Sequence, residues 1–290
     1  MPNTSIVRWV SPSSAMASST DRIAIGSPQP VAIPGLSGQL PRAVFVRGIA
    51  AGSFEAITFR LGVLHALEAM GVRVWNTARA IERCVDKSAA SLLFARAGLR
   101  TPATFVTESI EAAAAHVAAA DGPLVLKPLF GSQGKGIRLI HTAADLPPGE
   151  EIGSVWYLQR YVKPADGIFR DYRLFVSGGR VVEAMARRSE TWVTNVHQGA
   201  APEGWRPPAE AAALAAAAVA AIGADFAGVD LIADGEGGHL LLEVNSMPAW
   251  KGLQSVAAGD VAEAVVGDFL AAAGLIDARA AVPLAAGGRG

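Results

Sequence analysis

The sequence predicts an α+β protein, and three observations predict it. Apolar runs alternate with helix-spaced segments over the first half of the chain. From about residue 155 the pattern turns to paired strand segments around glycine turns. A glycine-dense loop at 131–136 separates two strand segments. A chain of 290 residues has length for about two domains, or three small ones, and ample length for a buried core.

The elements follow in order. Ala43–Val46 is a short apolar run and reads as a buried strand. Residues 54–70 have helical spacing and stop at Gly71, a residue suited to the left-handed position after a helix. Residues 72–75 read as the next strand, so a small parallel sheet is the natural packing. Asp86 is placed to cap a helix through Arg96 that stops at Gly98, and Thr107 to cap another to about Ala120, with a break at Thr101-Pro102. Strands follow at Leu124–Lys127 and 137–140, flanking the glycine loop, and at 156–162. Residues 172–176 and 180–186 form a hairpin over Ser177, Gly178 and Gly179. An alanine-rich helix spans 207–222 and ends at Gly223. Residues 226–232 and 239–244 form a second hairpin, and 260–273 a last helix. The small, polar stretch 11–20 and the Gly/Ala-rich tail are expected to be irregular.

Composition excludes several classes. Hydrophobic residues are 51% and charged residues 18%, which rules out wholesale disorder. The net charge of −1 argues against a nucleic-acid-coating protein. One cysteine, Cys84, allows no internal disulfide and fits a reducing cytoplasm. No 18-residue apolar run lacks polar residues, so no membrane span is expected. Arg8 is not followed by a continuous apolar core, which argues against a secretory signal.

Gly131, Ser132, Gln133, Gly134, Lys135 and Gly136 make the first chemical signal, because glycines let a loop bring backbone N–H groups to an anion. Ile137 stands where a Walker loop needs Lys then Ser or Thr, and a strand follows where a dinucleotide motif needs a helix. Ser132 and Lys135 have a serine-acylase spacing, but the glycines around them oppose the helix which that motif needs. Two readings remain: a flexible lid over a triphosphate, with Lys127 at the end of the preceding strand, or an ordinary glycine-rich surface hairpin.

Asp230 and Glu243 are the second signal. Their midpoint falls inside the turn, so in a symmetric hairpin they face each other, and alternation puts Asn245 on the face of Glu243. Both carboxylates sit within apolar strand segments, where charges are paired or metal-bound. Three oxygen donors suit Mg²⁺, or Mn²⁺; a solvated edge with unrelated acids is the alternative. Arg173, Arg187 and Arg188 supply cations on the middle hairpin, suited to developing phosphoryl and oxyanion charge, or simply exposed there. Asn195 and His197 follow, and His197 suits a structural or substrate hydrogen bond. No histidine shows zinc spacing with Cys84, and no evident base neighbours that thiol.

In order, these pieces resemble the ATP-grasp superfamily, most closely its RimK-type glutamate ligases, over about 46–269. The resemblance implies an ATP-grasp fold, two α+β lobes clasping ATP, preceded by a small α/β domain. The expected segments are 1–84, with 1–40 partly irregular; 85–160, carrying the glycine lid; 161–275, carrying the metal site; and a tail, 276–290. Lys87, Lys127 and the lid would bind nucleotide phosphates. Gln159, Arg160, Tyr161 and Val162 match the hinge, where backbone groups at Arg160 and Tyr161 would meet adenine, although Arg160 stands where an acidic residue is common. Asp171 and Arg173 resemble an Asp-x-Arg motif, with Asp171 near the ribose. Arg187, Arg173 and Asn195 would be catalytic, and Asp230, Glu243 and Asn245 would hold magnesium. Arg47, Arg188, His197, Met247 and Trp250 are assigned to substrate. The activity implied is ATP-dependent carboxylate–amine ligation through an acyl phosphate. It would add glutamate or a similar amino acid to a small-molecule cofactor, such as a tetrahydromethanopterin-type pterin, or to a peptide. The alternatives are a nucleotide-binding module without turnover and a kinase that stops at phosphorylation. Expected partners are small-molecule carboxylates and amino acids and, as is common in the family, further copies of the chain.

Overall fold

The computed structural model describes residues 7–10, 15–18, 24–26, 31–33, 39–131 and 134–276. Ser132, Gln133 and most of the tail therefore lie outside the described residues. The N-terminal unit is built on β5 (Ala43–Val46), α1 (Phe54–Ala69) and β6 (Arg73–Trp75). Val44 pairs with Val74 in parallel, the arrangement expected of a strand–helix–strand unit. Ser53 caps α1 by accepting the Ala56 N–H, and Gly71 follows its end at φ +82°. The stretch 11–20 is expected to be irregular; instead β2 (Ala15–Ser18) pairs with β1 (Val7–Val10) as an antiparallel ribbon, and β1 lies against β5. A two-strand pair, β3 (Ala24–Ile25) and β4 (Val31–Ala32), completes this region. Val44, Val46, Leu64, Leu67 and Ile81 form its core. Ile81 comes from α2 (Ala78–Val85), a helix that the spacing does not predict.

α3 (Lys87–Arg96) starts where expected, with Asp86 accepting the N–H groups of Ser88 and Ala89. The next sheet has the order β7-β10-β8-β9, all antiparallel, from β7 (Thr104–Thr107), β8 (Leu124–Lys127), β9 (Arg138–Ile140) and β10 (Trp156–Arg160). α4 (Ile110–Ala118) covers it through Ala113 and Val117 against Leu126 and Leu158. Its cap is Ser109 rather than Thr107, because Thr107 ends β7 and accepts the Ser109 N–H (3.0 Å).

The third sheet has the order β13-β12-β11-β14-β15, from β11 (Phe169–Ser177), β12 (Arg180–Ser189), β13 (Ala201–Gly204), β14 (Phe226–Ala233) and β15 (His239–Asn245). Alternation gives it two distinct faces. Tyr172, Leu174, Ala186, Val229 and Leu231 pack on α5 (Ala209–Ile222) and on Phe94 of α3. α5 ends at Gly223, φ +79°. On the opposite face, Phe175, Met185 and Phe226 meet Phe45 and Trp75 of the N-terminal sheet, together with α6 (Lys251–Gln254) and α7 (Val261–Ala272). Asn76 ties these units together. Its amide donates to the carbonyls of Phe226 (2.7 Å) and Ser246 (2.6 Å) and accepts from the N–H groups of Asp225 (2.6 Å) and Phe226 (3.0 Å). Among the described residues no helix is long and apolar enough to cross a membrane.

Candidate active site

The charged half of the third sheet's second face is set by strand register. Asp171 lies opposite Arg187, Arg173 opposite Asp230, and Asp230 opposite Glu243. One row of alternate positions across four strands thus carries five ionisable groups. Arg187 is fork-bonded to Asp171 and also reaches Asp230 Oδ2 at 2.9 Å. Arg173 donates to both oxygens of Asp230, each at 2.6 Å. Arg187, Asp171 and Asp230 are buried, so each charge is held by its neighbours. Burial alone would raise the Asp230 carboxyl; Arg173 and Arg187 outweigh it and hold the group below the ordinary carboxylate range. Burial likewise disfavours the Arg187 charge, but Asp230 and Asp171 keep the guanidinium firmly protonated.

The pairing of Asp230 with Glu243 agrees with the symmetric hairpin, as does that of Gly228 with Asn245. Towards the turn the register shifts, and Leu231 faces Leu241. Leu242 is the extra residue of a bulge, so it and Glu243 both line the cleft described below. Asn245 lies on the face expected and donates to Glu243 Oε1 at 3.0 Å. A cation does stand beside the two carboxylates, and it is Arg173, 2.6 Å from Asp230 and 4.0 Å from Glu243. Among the described residues no group of three or more His, Cys, Asp and Glu side chains is arranged to hold a metal. An oxygen-only set of Glu243, Asn245 and the remaining Oδ1 lone pair of Asp230 does fit a hard divalent ion, with Asp230 shared with Arg173.

A cleft opens between this face and the β7–β10 sheet. Of the expected residues, Lys87, Lys127, Gly131, Gly134, Gln159, Arg160, Tyr161, Val162, Asp171, Arg187, Asn195, Asp230 and Glu243 line it. Lys127 donates to Gln159 Oε1 (2.7 Å), and Gln159 in turn donates to Thr104 (3.1 Å). Lys87 donates to the carbonyls of Leu129 (3.2 Å) and Gly131 (3.1 Å), bracing the start of the glycine loop. Burial lowers both ammonium pKa values, with Glu243 the main opposing charge. Across the cleft Gly134 of the loop comes close to Val193 and Gln198. A Cβ at Gly134 would lie 2.8 Å from Gln198 and 2.9 Å from Val193.

The hinge differs from expectation in one respect. The N–H groups of Arg160 and Tyr161 already bond the carbonyls of Ala103 (2.8 Å) and Pro123 (3.1 Å), because strand pairing continues on both sides of β10. The Val162 N–H has no backbone partner among the described residues and is the donor left at the hinge. Sequence reasoning missed the apolar walls Val125, Ile137, Phe169, Ile232 and Leu242, and also Trp192, which meets Tyr161 edge-on at 6.1 Å between ring centres. Only their positions beside the glycine loop and carboxylates could have signalled them.

Other expected residues stand apart from the cleft. Gly136 (φ +73°) packs on Pro128. Arg188 falls on the face opposite Arg187, with Nη1 4.0 Å from Glu203. Met247 packs against the N-terminal core. Arg47 and Trp250 stack on each other in a separate pocket. His197 sits in a 3-10 turn, Val196–Gln198, and its side chain lies outside those described. Burial pushes the Cys84 thiol up to about 12, so it stays protonated at neutral pH and is no nucleophile.

Comparison with known proteins agrees with this geometry. The family described as RimK-like ATP-grasp domain matches residues 84–268. A tetrahydromethanopterin:alpha-L-glutamate ligase of Methanosarcina acetivorans is 34% identical over 245 residues, covering 73% of this chain and 74% of the relative. The enzyme of the same name from Methanococcus maripaludis is 34% identical over 237 residues, covering 79% of each. Among solved structures, the ATP-grasp ligase PsnB with a minimal precursor superposes with a TM-score of 0.63 over 82% of each chain, at 22% identity. A RimK-domain ATP-grasp protein from Sphaerobacter thermophilus gives 0.61 at 22% identity, over 81% of this chain and 82% of its own. These structural likenesses establish the fold.

Proposed function

The chain belongs to the RimK-like ATP-grasp family, and from that premise we propose that it is an ATP-dependent carboxylate–amine ligase that adds glutamate to a small-molecule acid. The acceptor we favour is a tetrahydromethanopterin-type pterin, the compound in the names of the two relatives. One observation carries the reading. Lys127, Arg187, Asp230 and Glu243 converge in a single cleft beneath a glycine loop, between two antiparallel sheets.

In this reading ATP lies between the lobes 85–160 and 161–275. Its adenine enters the slot of Val125, Ile137, Ile232 and Leu242 and meets the Val162 hinge donor. Lys87 and Lys127 hold phosphate oxygens, and Asp171 lies towards the ribose. Glu243, Asn245 and Asp230 are the residues that would hold magnesium, which when bound neutralises phosphate charge. An acceptor carboxylate oxygen attacks the γ-phosphorus and ADP leaves, giving an acyl phosphate. The glutamate amine then attacks the acyl carbon, the C–O bond to phosphate breaks, and phosphate departs with one former carboxylate oxygen and the proton that the amine gives up. Arg187 and Arg173 stabilise the transferring group and the tetrahedral oxyanion, and Asn195 orients the acyl phosphate. The glycine loop, whose Gly134 stands against Val193 and Gln198, keeps water from the acyl phosphate. The half-buried, protonated Cys84 and the absence of any other cysteine fit a reducing cytoplasm.

Incubation with ATP, magnesium, glutamate and the pterin is expected to give ADP and a product heavier by one glutamyl group. ADP formed at the same rate without glutamate would mark a kinase instead, and no ADP with any acid tested would mark a nucleotide-binding module.

A further inference from the structure

A second pocket lies beyond Arg173, on the same face of the third sheet. Arg47, Ala249, Trp250, Lys251, Gln254 and Ser255 line it. The neutral polar groups in it are already committed. Gln254 donates to the Gly259 carbonyl (2.9 Å) and accepts the Val261 N–H (2.9 Å), and Ser255 donates to the Gly252 carbonyl (2.7 Å). The two cations are not. Neither Arg47 nor Lys251 forms an ion pair among the described residues.

Arg47 is the unusual one. Its guanidinium stacks on Trp250 at 3.8 Å and lies within 5.5 Å of Phe45 and 5.7 Å of Phe226. Nη2 donates to the Pro248 carbonyl (3.3 Å), while Nη1 is shut off from water and lacks any hydrogen-bond partner. Burial lowers the group to about 10, which leaves it charged at neutral pH. A guanidinium held against three rings without a counter-anion carries a desolvation cost that an incoming anion offsets. Arg47 itself lines the pocket, so a ligand there lies beside its guanidinium. Pro248 stands between this pocket and the charged row: its carbonyl accepts from Arg47, and a Cβ on Gly228 would lie 3.0 Å from its side chain and 3.7 Å from Arg173. Arg47, Pro248, Gly228 and Arg173 are therefore successive neighbours.

We propose that Arg47, stacked on Trp250, and Lys251 form the binding subsite for the carboxylates of the incoming dicarboxylic amino acid. This rests on the ligase reading. An amine donor with two carboxylates matches two cations that lack counter-anions, and seating it here places it beside the neighbours of Arg173. A neutral amino acid leaves one cation unanswered, so the subsite selects for the dicarboxylate.

The test uses the full chain with ADP and magnesium. Binding of glutamate, and of glutarate, which has both carboxylates but no amine, is followed by calorimetry. Arg47→Met is expected to weaken both ligands at least tenfold and Arg47→Lys to restore most of that loss. Lys251→Ala, at an exposed position, is expected to weaken them at least threefold, with ADP binding unchanged in every variant. Lys251→Ala decides the matter if Arg47→Met does not fold. Dicarboxylate binding indifferent to these charges, no dicarboxylate binding by the parent, or variants that weaken only the acid acceptor would each overturn the subsite. The ligase reading fails separately: the parent would then bind glutamate through Arg47 and Lys251 yet form no glutamyl product.

Discussion

Arg187 joins both halves of the charged row, bonding Asp171 on one side and Asp230 on the other. Replacing it by Met leaves the buried Asp171 without its guanidinium partner and Asp230 with Arg173 alone. Loss of one partner from a buried ion pair costs about 3–5 kcal/mol, so Arg187→Met should lower the denaturant midpoint by that equivalent and abolish ADP formation. Denaturant unfolding beside an ADP assay checks both. The sequence makes Asp230, Glu243, Arg173 and Arg187 legible because charges in otherwise apolar strands demand partners. It does not make legible which partner each takes. That Arg173, rather than a metal alone, stands beside the carboxylates follows from cross-strand register, and register depends on strands distant in sequence. Which face Arg188 and Met247 take is not legible for a related reason: adjacent residues of a strand point to opposite faces, and Met247 packs on a core built from distant strands.

The hairpins were the most legible elements, since turn glycines and period-two alternation lie close together in the chain. The Leu242 bulge was not, because nothing local distinguishes Leu242 from its neighbours in the run 240–242. β13 was missed because its sequence, with Pro and Gly, has no strand pattern and is held only by pairing with β12. Two predictions belong to elements. In the lid, Gly134 sits at φ +70° with Gln198 and Val193 too near for a Cβ. Gly134→Ala should cut turnover at least tenfold by holding the loop off 193–198, while strain of about 1–3 kcal/mol limits the loss of stability; steady-state kinetics and thermal melting separate the two. In the second hairpin's turn, Asp234 accepts N–H bonds from Glu236 (2.8 Å) and Gly238 (2.9 Å) and pairs with Arg100 (2.6 Å). Those backbone bonds lower it to about 2. A depressed carboxylate contributes stability above its unfolded pKa of about 4, and loses it as pH falls through the folded value. Asp234→Ala should flatten the pH dependence of unfolding between about pH 4 and pH 2, as read by melting across that range.

At the scale of the whole molecule, the three sheets serve one cleft. The β7–β10 sheet supplies Lys127 and the hinge, the third sheet supplies the charged row, and the N-terminal sheet backs that row through Phe45, Trp75 and Asn76. The order of motifs along the chain made the two-lobe architecture legible. The attachment of β1 and β2 to β5 was not, because four-residue strands carry little signal of their own. The central claim is that a carboxylate is activated by phosphoryl transfer before the amine attacks. The most direct measurement follows ¹⁸O from an acceptor labelled in its carboxylate, in the presence of ATP, magnesium and glutamate. The account predicts that one labelled oxygen appears in the released phosphate for every glutamyl bond formed. Unlabelled phosphate accompanying bond formation would contradict it.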